Sequence, residues 1–366
     1  RRAARMRYHR RFLTFPIEAH MRAAVHHRPG APLTIEDVAP PRTSSGDLVI
    51  AVRRCGICGS DLHMADVHGP DSGMAPLPPG TVMGHEFAGE VVEVASDVRG
   101  IRVGDRVTAM PFFACGHCAA CLAGNGYRCS RVRYSALGQA PGAFAEFMRV
   151  GAAETLVLPA GVDDAMGALV EPFAVALHGV NAARLAPGER VLIMGGGPIG
   201  LACAAWVRHF GGRDVVVSDF VPARLALAEK LGATATIDAG RAPVVATYKQ
   251  IAGQRPDVVF DCVGVPGTQQ LAMDYAPMGG RIVILGVCMA PDTIRPVKAI
   301  TKELQVSYAY MYRRQEFELT IDLMNRERLD PTPMVTRTVG FDGFAAAFEA
   351  LKTDKSACKV LLDPRT

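Results

Sequence analysis

The chain has 366 residues, 49% of them hydrophobic and 21% charged, with a formal net charge of +4. That is enough apolar material for two ordinary cores, so two domains are expected. Ten cysteines in a chain of this length exclude the disulfide scaffold of small secreted domains, and a nearly neutral body argues against nucleic-acid binding.

The charge is uneven. Residues 1–20 hold six Arg against one Glu, so a local net of +5 leaves −1 for residues 21–366. This extension reads as a solvated, disordered terminus, with an arm for anionic surfaces as the alternative. The chain shows no secretory leader pattern. The apolar stretch Val191–Val207 is broken by Gly195, Gly196, Gly197, Pro198 and Gly200, which makes a poor membrane span. A cytoplasmic protein with no membrane partner is expected.

From residue 21 to about 170, short alternating runs such as 48–52 and 90–94 are separated by Gly and Pro turns. They predict a small, partly open β-barrel. Within it lies Cys58-Gly-Ser60-Asp61-Leu-His63, followed by Gly84-His85-Glu86. A thiolate, an imidazole and a carboxylate are the donors zinc accepts, and a catalytic zinc keeps three protein ligands so that one position stays open. Ser60 and His63 stand close enough in sequence to move a proton. Cys55 completes a C-x-x-C with Cys58 but is read as a packed strand residue rather than a redox partner.

Cys115, Cys118, Cys121 and Cys129 follow as C-x2-C-x2-C-x7-C. Such spacing can close an all-thiolate tetrahedron, which is a structural zinc site, in a lobe of about 112–133. An iron–sulfur cluster is the rival. The neighbouring Arg128, Arg131 and Arg133 read as a solvated or interface-facing loop, with an anion patch as the alternative.

The middle of the chain changes pattern. The apolar strand 190–194 runs into Gly195-Gly196-Gly197-Pro198-Ile199-Gly200 and then a helix. Gly195 permits the turn, Gly197 lets a pyrophosphate approach, and Gly200 allows close helix–strand packing. Strand 214–219 ends in Asp219, placed to bind the ribose hydroxyls of NAD and to repel a 2′-phosphate. Arg224 complicates this, because a nearby Arg can accept that phosphate and so admit NADP. Strands at 257–261 and 280–286, with turns at Val263 and Gly286, alternate with helices and predict a doubly wound parallel sheet over about 175–310. The tail from about 311 is expected to rejoin the first domain. His178 reads as a packed core histidine. Tyr308, Tyr310 and Tyr312 alternate like one face of a strand, lining either a pocket or a subunit interface.

These motifs, in this order, resemble the zinc-dependent medium-chain alcohol and polyol dehydrogenases over roughly residues 21–366. The resemblance implies an α/β fold in which a GroES-like β-barrel catalytic domain (21–174 and 311–366) is interrupted by a Rossmann coenzyme domain. It implies two zinc ions per chain, NAD as coenzyme, an alcohol or ketone as substrate, and a homodimer or homotetramer. Carried over by position, Cys58 and His85 match two catalytic zinc ligands. The third position is Glu171 in Leu169-Val170-Glu171-Pro172 where the animal alcohol dehydrogenases have cysteine, a departure shared with the sorbitol, butanediol and threonine branches. Glu171 is then the third ligand, direct or through water, with Glu86 able to exchange in; a plain helix-starting acid is the alternative. Ser60 and His63 match the proton relay, and Asp61 a supporting position. A primary-alcohol, aldehyde-directed or amino-alcohol dehydrogenase is the nearest rival within enzymes.

Overall fold

The computed structural model describes residues 20–69 and 73–366; the Arg-rich stretch before His20 lies outside the described residues. Its most regular part is a six-stranded sheet, parallel throughout. The strands run Ala235–Asp238, Asp214–Asp219, Arg190–Met194, Val258–Asp261, Arg281–Ile284, Gln305–Tyr308 across the sheet. In chain order this is 3-2-1-4-5-6, so the strand order reverses at Arg190–Met194, and a crevice opens there at the carboxyl ends of the strands. Val191, Leu192 and Ile193 are fully buried, as are Val215–Val217 and Val258–Phe260. Helices cover both faces, which is why these strands read as unbroken apolar runs.

The other half is antiparallel. The ten-residue strand Asp47–Gly56 is its spine. It pairs with Glu86–Val94 on one side and with Phe147–Gly151 and the carboxyl-terminal Lys359–Leu362 on the other. Leu361 faces Gly56 and Leu362 faces Cys55. The end of the chain is thus stitched to the strand that delivers Cys58. A smaller sheet joins Thr34–Val38, Met21–His26 and Thr81–Val82.

The helix Asp164–Ala182 holds the two halves together. Asp163 caps it by accepting from the Met166 N–H at 2.8 Å, which satisfies one of the orphan donors of the first turn. Leu169, Val170, Phe173, Ala174, Ala176 and Leu177 are completely buried, in one cluster with Val191, Ile193, Leu201 and Phe260 of the parallel-sheet half. Pro172 inside the helix removes the N–H that would bond the Ala168 carbonyl, and the Trp206 indole donates to the Phe173 carbonyl at 2.8 Å. No helix among the described residues is long and apolar enough to cross a membrane.

Candidate active site

Cys58 is the residue before the short helix Gly59–Ala65. Its backbone N–H donates to Asp61 Oδ2 at 2.9 Å, while Asp61 Oδ1 accepts from His85 Nδ1 at 3.2 Å. One carboxylate, itself 3% exposed, therefore fixes both the thiol-bearing residue and the imidazole. With Nδ1 donating, His85 Nε2 keeps its lone pair, the tautomer a metal ligand needs. Burial works against a charged His85, but Asp61 outweighs it and raises the imidazole's pKa.

Donor atoms of Cys58, His85 and Glu86 all lie within 4.8 Å of one another, one of two such groups among the described residues. Sulfur, nitrogen and oxygen converging on one point fit zinc. Ser60 Oγ lies 3.4 Å from His85 Nε2. His63 is one turn further along the same helix, with its pKa lowered by burial and by Lys355.

Glu171 stands next to this group rather than inside it. It is 5% exposed on the rigid helix Asp164–Ala182. Burial raises its carboxyl to about 7, with His85 lowering and Glu86 raising it further. Tyr312, fully buried, lies close to Glu171 without completing a hydrogen bond of ordinary geometry.

Glu86 has a partner that sequence reasoning missed. The Lys359 ammonium, 1% exposed, donates to Glu86 Oε1 at 2.7 Å, to Oε2 at 2.6 Å and to the Ile57 carbonyl at 3.1 Å. Its three donors are spent. The available signal was a lysine opening an otherwise apolar strand, Lys359-Val360-Leu361-Leu362.

The second group is Cys115, Cys118, Cys121 and Cys129, all unpaired and mutually within 4.8 Å. Sγ of Cys121 lies 3.5 Å from that of Cys118 and 3.9 Å from that of Cys115. A tetrahedron with metal–sulfur bonds of about 2.3 Å has edges of about 3.8 Å, so the four thiols already have the shape of a closed zinc site. The backbone N–H of His117 heads the groups that lower the Cys115 thiol to about 5, and burial leads in pushing Cys121 up to about 12.

At the coenzyme crevice, Gly195 sits at φ +93° and a Cβ at Gly200 would collide with the Gly195 carbonyl. Gly197 caps the helix Pro198–His209 and faces open space, as a phosphate cradle requires. Pro198 and Ile199 begin the helix. Asp219 accepts from the Gly196 N–H at 2.7 Å and from the Val221 N–H at 2.8 Å, so its carboxylate is held against the glycine turn. Arg224 Nη1 lies 3.6 Å from it, and Arg224 Nε is buried with no partner. Val263 flanks Gly195, and Gly286 packs backbone to backbone against Gly264.

One reading changes. Tyr308, Tyr310 and Tyr312 do not share a strand face. The strand ends at Tyr308, and Met311 at φ +59° turns the chain, leaving Tyr308 and Tyr310 exposed by 68% and 59% and Tyr312 buried. The segment Tyr310–Tyr312 borders Glu171 and His85. His178 is the hydrogen-bonded core histidine expected, 2.9 Å from Glu316.

Residues 44–160 match the alcohol dehydrogenase GroES-like domain and residues 198–326 the zinc-binding dehydrogenase domain. The chain is 35% identical over 329 residues to the L-threonine 3-dehydrogenase of Aeromonas hydrophila subsp. hydrophila, covering 89% of this chain and 94% of that protein. Among solved structures, a Sinorhizobium meliloti 1021 protein described as a zinc-binding dehydrogenase and bound to NADP aligns with TM-score 0.85 and 32% identity over 95% of this chain and all of that one. The 2R,3R-butanediol dehydrogenase of Bacillus subtilis aligns with TM-score 0.83 and 33% identity over 94% and 99% of the two chains. The chain belongs to the zinc-dependent medium-chain dehydrogenases, oxidoreductases of the alcohol dehydrogenase type.

Proposed function

We propose that the chain transfers a hydride between a secondary alcohol or polyol and NAD, using Cys58, His85 and a carboxylate as catalytic zinc ligands. The observation that carries this reading is the convergence of Cys58, His85 and Glu86 donors within 4.8 Å beside Ser60 Oγ. Zinc there supplies a Lewis acid that lowers the pKa of the substrate hydroxyl, and NAD accepts the hydride. Asp61 keeps His85 in its ligating tautomer. Ser60 takes the hydroxyl proton, and His63, three residues on along the same helix, receives it and gives it to solvent. Lys359 holds Glu86 by both oxygens, so Glu171, beside this group, is the carboxylate that completes the ligand set at rest, directly or through water, with Glu86 able to exchange in. Cys115, Cys118, Cys121 and Cys129 hold a second, structural zinc.

The coenzyme reading rests on Asp219, Gly195, Gly197, Pro198, Ile199, Gly200, Val263 and Gly286, with Arg224 beside Asp219. A carboxylate held against the glycine turn favours NAD over NADP. Ten unpaired cysteines support a reducing, cytoplasmic setting. Self-association is proposed through Gln305–Tyr308, the outermost strand of the parallel sheet, which Val297 and Ile300, 61% and 72% exposed, immediately precede. A homodimer or homotetramer is expected by light scattering.

A second reading, an amino-alcohol dehydrogenase acting on threonine, is favoured by the similarity to L-threonine 3-dehydrogenase. NADH formation at 340 nm across secondary alcohols, diols, sugars and L-threonine separates the two. Absence of turnover on all of them with the zinc-loaded protein would refute both.

A further inference from the structure

The helix Gly59–Ala65, which carries Ser60 and His63, is only seven residues long. A helix this short does not hold its own shape in water, so its two ends must be fixed from outside. Asp61 ties the first turn by accepting from the Cys58 N–H. Asp66 ends the last turn. Its N–H donates to the His63 carbonyl at 3.1 Å, and its carboxylate accepts from the Lys352 ammonium at 3.0 Å.

Lys352 belongs to the helix Phe341–Thr353, which is a rigid platform. Phe341, Phe344 and Phe348 are buried in the antiparallel half, and the Phe344 ring stands 4.7 Å from that of Phe144. The Lys352 ammonium lies 6.0 Å over the Phe348 ring. Phe144 also fills the space a Cβ at Gly84 would need, and its N–H donates to the Met83 carbonyl at 2.9 Å. One aromatic platform therefore backs the segment that delivers His85 and, through Lys352, the end of the helix that delivers His63.

The pair also brings two opposite charges to His63. Asp66 follows His63 by three residues, which places the two on neighbouring positions of one turn. Burial and then Lys355 lower the pKa of His63, while Asp66 raises it. Lys355 is pinned to the Leu351 and Lys352 carbonyls at 3.2 and 2.8 Å, and Glu349 Oε1 lies 3.1 Å from the Lys352 ammonium. On the strand side, His26 is 1% exposed with neither ring nitrogen bonded, and burial leads in lowering its pKa, with the adjacent His27 adding to this. Asp61 is committed to Cys58 and His85. Lys352 thus offsets the carboxylate nearest His63 along the helix.

We propose that Lys352 and Asp66 are positioning residues, a clamp between the carboxyl-terminal helix and the relay helix whose two charges set how readily His63 takes up a proton. The catalytic consequence rests on the relay role given to His63 above. Lys352→Met leaves Asp66 uncompensated and favours protonated His63. Asp66→Asn removes the anion and favours the neutral ring.

The test follows the ring of His63 by NMR titration of the zinc-loaded protein, its signal assigned by its absence in His63→Gln. The midpoint moves to higher pH in Lys352→Met and to lower pH in Asp66→Asn, and Lys352→Arg keeps the wild-type value. With NAD and either 2,3-butanediol or L-threonine, kcat/KM at about pH 5.5 falls up to about threefold in Lys352→Met and rises by a similar factor in Asp66→Asn, the size expected of a half-exposed pair. At about pH 9, where the ring is neutral throughout, all variants stay within about twofold of wild type. Unmoved NMR midpoints, or midpoints moving the same way in both variants, would overturn the clamp and leave the relay reading intact. Midpoints that move apart while kcat/KM does not follow uphold the clamp and refute the relay role of His63 instead.

Discussion

The Lys359–Glu86 pair gives the sharpest quantitative test of the site. Both side chains are essentially without solvent, and three contacts of 2.6, 2.7 and 3.1 Å consume every donor of the ammonium. Burial by itself lowers the lysine's pKa, but the Glu86 carboxylate more than reverses this and leaves it raised. A lysine raised in the folded state stabilises at all pH values below its unfolded value of about 10.4, so the pair is fully formed at neutral pH. Lys359→Met removes the cation and strands a buried carboxylate beside Glu171, at a cost of about 3–5 kcal/mol. For a chain of this size the melting temperature drops by about 4–7 °C. Adding Glu86→Gln removes the stranded charge, and the double variant recovers more than half of the loss. Thermal and urea denaturation of the four proteins, each with and without zinc, measures the cycle. A loss below about 1 kcal/mol in the single variant is the range of solvated surface pairs and would refute the buried-pair argument.

Freshly purified protein holds two zinc ions per chain by elemental analysis, and Cys58→Ala retains one zinc and its circular dichroism while losing turnover; full activity would mean the wrong site. Asp219→Gly narrows the ratio of kcat/KM for NAD over NADP by about tenfold, roughly one charge-assisted hydrogen bond, and an unchanged ratio would discard the ribose assignment. Glu316 accepts from His178, Asn181 and the Arg313 N–H; burial opposes its ionisation, but these bonds outweigh burial and lower its pKa from 4.5. Its stabilising contribution is present above pH 4.5 and is lost as pH falls through the lowered folded value, so Glu316→Gln flattens the decline of stability below pH 4.5 in acid-titration melts.

Local motifs made much of this legible. The apolar run 190–194 followed by Gly195, Gly197 and Gly200 identifies a strand, a tight turn and a helix start, because each glycine answers a short-range steric demand that the structure displays. The cysteine lobe was equally readable, since four thiols within fifteen positions can reach one another whatever the rest of the chain does. The three tyrosines were misread because a period of two looks like a strand, while one left-handed residue, Met311, breaks it with no signal at that position.

What the chain settles by itself is therefore chemistry confined to short spans: the donors Cys58 and His85, the thiol quartet, the phosphate-binding turn and the acid at Asp219. Its alternation of strands and helices also determines the class of fold, since each period dictates which face must be buried. What only the tertiary structure decides is pairing across hundreds of residues. Lys359 reaches Glu86, and Trp206 reaches the Phe173 carbonyl. Such contacts depend on sheet register and helix packing, and no local pattern encodes which distant side chain will fill the space beside a buried charge.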